Sequence, residues 1–98
     1  MQTDATEKGT IHYAQYEQSE RLQRLLNFML DGLPHSTMAI INGAGICAVN
    51  SAACELRKNG FRCDCIKKAG PAIYQLFDVE GARELSAQLL AKREVARG

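Results

Sequence analysis

Two glycines one residue apart, Gly43 and Gly45, interrupt an apolar run that begins at Met38 and resumes at Ile46. The backbone just before them decides what the chain can become. If Met38 to Ile41 is a buried strand, Gly43-Ala44-Gly45-Ile46-Cys47-Ala48 fits the G-x-G-x-x-G/A turn that cradles a dinucleotide pyrophosphate. If Thr37 to Asn42 is instead a helix, the segment Gly43 to Gly45 ends it, and a second helix from about Ile46 to Asn59 follows, closed by Gly60. Both routes share what comes next. Phe61 to Ile66 alternates, with Phe61, Cys63 and Cys65 on one face and Arg62 and Asp64 on the other, as a half-buried strand does.

Chain length weighs against the dinucleotide route. The sequence has 98 residues, 46% of them hydrophobic, enough for one compact domain. Thirty residues follow Lys68, too few for the further βαβ units and the two-sided cover that a parallel sheet needs. A two-stranded parallel sheet does not stand alone. The acidic residue that should meet the ribose hydroxyls is replaced by Lys67-Lys68, and Ala48 stands at the third glycine position. A Rossmann-like nucleotide-binding fragment therefore remains only as the weaker alternative.

The rest of the sequence suits the helical route. Residues 1–18 read as a flexible N-terminal segment, with Ile11, Tyr13 and Tyr16 as candidates to dock on the core. Ser19 is placed to cap a helix running to Leu30, in which Leu22, Leu25, Leu26 and Met29 recur at helical spacing. Asp31-Gly32 ends it, Pro34 holds the next residues extended, and Ser36 can cap the helix that begins at Thr37. Ala69-Gly70-Pro71 is a turn, and Ala72 to Phe77 can return antiparallel to Phe61–Ile66 as a hairpin. Glu80 to Ala96 then carries Ala82, Leu85, Leu89 and Leu90 among charges, as an amphipathic helix that covers the core or meets a second copy.

The fold class expected is α+β, mostly α: a winged helix-turn-helix over residues 19–77, with a three-helix core and a two-stranded hairpin wing, plus an additional C-terminal helix over 78–98. Within it, Ala39 is the small residue that lets two helices cross closely, Gly43 the turn residue that accepts positive φ, and Val49 the β-branched residue of the second helix. Val49, Ala52, Ala53 and Leu56 fall on one arc of that helix and should face the core. The opposite arc carries Cys47, Asn50, Ser51, Cys54 and Lys58, with Arg57 at its margin. Small side chains let a helix sink into the major groove, where Asn50 can pair with an adenine edge while Ser51, Arg57 and Lys58 suit phosphates. Lys67 and Lys68, just before the hairpin tip, suit the backbone or the minor groove. Cys47 and Cys54, one above the other on this arc, would make groove access sensitive to oxidation or alkylation.

This chain resembles small helix-turn-helix proteins of bacteriophages and prophages, through His35-Ser36-Thr37 before the motif and Glu55-Leu56-Arg57-Lys58-Asn59-Gly60-Phe61 at the close of its second helix. The resemblance implies a DNA-binding domain in a regulatory or phage-replication setting. Charge gives it modest support. The formal net charge is +1, but from Ser19 to Phe77 seven basic groups meet four acidic ones, while residues 1–18 hold Lys8 against Asp4, Glu7 and Glu17.

Other classes find less. The spacing of Cys47, Cys54, Cys63 and Cys65 matches no zinc framework, and neither His12 nor His35 completes one. No nucleophile has an adjacent base and no paired carboxylates stand out, so no enzyme and no cofactor is expected. The start lacks a secretory pattern and no apolar stretch approaches the ~20 residues of a membrane span, so a cytoplasmic protein with reduced thiols is expected. The partner expected is double-stranded DNA, with a homodimer through the C-terminal helix as an arrangement that would multiply affinity. A protein-docking module of the same fold is the alternative, because the outer arc is poor in positive charge.

Overall fold

The structure is a computed structural model that describes the backbone of residues 13–97 and the side chains of residues 13–93. A 3₁₀ turn over Tyr16–Gln18 leads into α1 (Glu20–Met29), β1 (His35–Ser36), α2 (Thr37–Ala44), α3 (Val49–Lys58), β2 (Arg62–Lys67), β3 (Ile73–Phe77) and α4 (Val79–Arg97). The three strands form one antiparallel sheet in the order β1-β3-β2, so the protein is α+β and mostly helical.

The segment before the glycines is helical. Ser36 accepts the Ala39 N–H at 3.1 Å, and the Thr37 N–H donates to the Ala72 carbonyl at 3.1 Å, so the first turn of α2 is capped and tethered. This removes the Rossmann-like architecture behind the nucleotide-binding alternative. That fold needs Met38 to Ile41 as a strand parallel to β2, whereas these residues coil and both strand pairs are antiparallel.

Several boundaries differ from expectation. The hairpin gains a third strand because Pro34 leaves His35 and Ser36 extended, and their backbones pair with Tyr74 and Ile73 of β3. Gly43 is not the turn glycine, since α2 runs two residues past Asn42 to Ala44, and the left-handed cap is Gly45 at φ 69°. What Gly43 provides is closeness: a Cβ there would lie 2.7 Å from Cζ of Phe28 on α1. Next, α3 starts at Val49 rather than Ile46. Ala48 is also left-handed, at φ 51°, so Ile46 to Ala48 form a turn that plants Ile46 in the core and leaves Cys47 exposed.

One core joins all layers. Leu22, Leu25, Leu26 and Met29 of α1 meet Ile40 of α2, the Val49, Ala52, Ala53 and Leu56 arc of α3, and Cys63, Tyr74 and Leu76 of the sheet. Each fully buried aliphatic side chain stabilises the fold by about 1.5–3 kcal/mol. At the end of α1, the Asp31 carboxylate accepts the Leu33 N–H at 2.9 Å and meets His35 Nε2 at 2.9 Å. The Leu33 bond first, then His35, holds the Asp31 carboxyl below its usual range.

The two flanking segments are packed together. Tyr16 is 1% exposed, with its ring 4.9 Å from that of Phe61 and its hydroxyl 2.8 Å from Ser86 Oγ on α4. Its N–H donates to Asn59 Oδ1, and the Asn59 amide donates in turn to Ala14 O. Residues 13–18 therefore pack on the domain, with Tyr16 docked on the core as expected, which corrects the flexible reading for that stretch; Ile11, another docking candidate, lies outside the described residues. On α4, Ala82 is buried and Leu85, Leu89 and Leu90 pack against the same core, while Arg93 donates to the Glu17 carbonyl at 3.3 Å. The apolar side of α4 thus covers its own domain. No single helix among the described residues is long and apolar enough to cross a membrane.

Candidate nucleic-acid interface

The chain bends by 82° between α2 and α3, which turns the outer face of α3 away from the core. Two constraints fix that helix. Arg21 of α1 forms an ion pair with Glu55, and Arg57 Nη1 donates to the Cys63 carbonyl of β2 at 2.9 Å. With Val49, Ala52, Ala53 and Leu56 buried, Asn50, Ser51, Arg57 and Lys58 remain exposed and Cys54 is half-buried.

A cleft lies on either side of this face. One, of about 380 Å³, opens between α3 and the hairpin and is lined by Asn50, Arg57, Cys65, Lys68, Ala72 and Tyr74. The other, of about 290 Å³, runs toward the N-terminal segment and brings Tyr13 beside Asn50, Ser51, Cys54 and Lys58. Six of the eight residues read from sequence thus gather around α3, with Asn50 and Arg57 shared by both clefts. Lys67 lines neither. It is exposed at the end of β2, beside Gly70 of the turn.

Cys47 is the residue that the structure separates from the set. It lies in the turn before α3, so it does not stack two helical turns from Cys54, and the paired-thiol arrangement is lost. Reactivity should instead follow exposure. All four cysteines are free thiols; Cys47 is exposed, Cys54 and Cys65 are half-buried, and Cys63 is buried, with burial pushing its pKa up to about 11. Iodoacetamide at mild alkaline pH should label Cys47 first and Cys63 only on unfolding, as mass spectrometry of digested protein would report. Early labelling of Cys63 would contradict its burial. Because an unfolded thiol ionises near pH 9.0 and this one near 11, Cys63 also makes stability fall as pH rises through that window.

Two aromatic lining residues escaped the sequence reading of the site. Tyr74 carried a strand signal but nothing that aimed it at α3, and its position follows from the pairing Cys65↔Tyr74 across the hairpin. Tyr13 has no periodic signal at all; the Lys58 ammonium lies 5.7 Å from its ring centroid, a cation–π distance. No family model, curated protein or solved structure matches this chain.

Proposed function

We propose that this protein is a non-enzymatic, sequence-specific DNA-binding protein of the winged helix-turn-helix class, acting as a phage or prophage transcriptional regulator. In this reading α3 enters the major groove and the Lys67–Pro71 tip of the hairpin is a wing that lies on the backbone. One observation carries it: Asn50 and Arg57 of α3 and Lys68 of the hairpin open onto a single cleft, so a base-reading amide and two cations act from one side of the molecule. The reading set is Asn50 toward a base edge, with Ser51 and the four cations Arg57, Lys58, Lys67 and Lys68 toward phosphates. Cys54, half-buried, offers a small surface rather than a contact.

Selection of bound oligonucleotides from a random pool should enrich one sequence family. On that sequence, four phosphate contacts per chain give a slope of log affinity against log salt of about −3.6. A slope near zero would instead favour the second reading, a protein-docking module. That alternative has its own support: Arg57 and Lys58 are already engaged within the fold, and Leu33, Met38 and Ile66 are exposed apolar side chains. A homodimer is the arrangement we propose for a palindromic site, with a contact other than the core-covering leucines of α4, and sedimentation of the full chain with and without DNA measures it. Deleting α4 does not, because its leucines cover the core.

A further inference from the structure

We infer that the cleft between α3 and the hairpin is a seat for a phosphate ester, held by Arg57, Lys68 and the Tyr74 hydroxyl, with Asn50 beside it. This deepens the DNA-binding reading and rests on it only for one of its two sources of phosphate.

The lining sets the ligand's charge. Of the six residues around the cleft, two are cations and none is a carboxylate. The nearest acidic group on the same helix, Glu55, faces the other cleft and is neutralised by Arg21. Arg57 spends one N–H on the Cys63 carbonyl, which fixes the guanidinium beside the hairpin and leaves further donors of its planar fork. The Asn50 side chain, exposed at the same cleft, stays available for a base edge beside the ester.

Tyr74 adds a further donor. It is 4% exposed as a whole residue, yet it lines the cleft, and its hydroxyl is not among the buried side-chain atoms left without a partner. Burial raises the Tyr74 pKa, which keeps the hydroxyl protonated and therefore a donor at neutral pH. Guanidinium, phenol and ammonium side chains thus line one space of about 380 Å³, within the size range of small-ligand clefts. Phosphate-ester oxygens match that set, since they accept without donating.

The ester has two possible sources, the backbone of a duplex or a free phosphorylated small molecule, and one titration separates them. The full chain, ¹⁵N-labelled, is titrated at low salt with AMP and, separately, with a short mixed-sequence duplex. The expected result is movement of the Asn50, Lys68 and Ala72 amide signals, with Tyr74→Phe and Lys68→Gln each weakening binding at least about tenfold while melting like the unmodified protein. Movement with the duplex alone supports a backbone source. Movement with AMP alone supports the seat with a free ester as its source and removes the DNA reading. Duplex binding that neither variant weakens overturns the seat and leaves the DNA reading standing, and silence toward both ligands overturns both. Lys68 is exposed, so its variant tests the seat even if Tyr74→Phe perturbs the fold.

Discussion

Replacing Tyr16 with Ala is expected to lower the unfolding free energy by about 3–5 kcal/mol, a large share of the ~5–15 kcal/mol that holds a domain of this size together. The side chain is 1% exposed and ties three parts of the chain at once: its ring meets Phe61 at the start of the hairpin, its hydroxyl meets Ser86 on α4, and its N–H is held by Asn59 at the end of α3. Truncation removes the first two and leaves a cavity where the 3₁₀ turn meets α4. Tyr16→Phe separates the contributions. It keeps the ring and loses only the Ser86 bond, so it should cost about 1 kcal/mol. Urea unfolding of the three proteins measures both differences, and a Tyr16→Ala protein as stable as the unmodified chain would return this segment to the status of an unstructured lead-in.

Leu56→Ala should cost about 2–5 kcal/mol. Leu56 is fully buried on α3, which packs against both α1 and β2. Its carbonyl accepts the Asn59 and Phe61 N–H groups that turn the chain into the hairpin. Alanine is the better helix former, so any net loss comes from packing rather than propensity. Leu56→Met preserves volume and should cost less than about 1.5 kcal/mol, which gives the control. If the alanine protein keeps its midpoint in urea, α3 is not seated as described, and the orientation of Asn50 and Arg57 fails with it.

How much of this was legible beforehand follows from which signals are local. The caps at Ser19 and Ser36, the apolar arcs of α1 and α3, and the β2–β3 alternation are written in short-range spacing, and each appears where the spacing put it. The start of α3 was not legible, because a left-handed alanine at position 48 leaves no mark in the sequence, whereas a glycine or asparagine would have. The same event removed Cys47 from the candidate face. Pro34 marked an extended segment, but whether that segment pairs depends on β3, some forty residues later by the register His35↔Tyr74. Tyr13, Tyr16 and Tyr74 act through distant partners, and one aromatic residue in a polar stretch has no period to read. Legibility was highest for exposed polar residues on α3, where helical phase alone separates solvent from core.

The contact between Gly43 and Phe28 carries a consequence for lineages rather than for one molecule. The ring on α1 occupies the space where position 43 would carry its first side-chain carbon. Among descendants of this sequence the two sites should vary as a couple, with residue 43 free to gain a methyl group only where residue 28 has exchanged its ring for something slimmer.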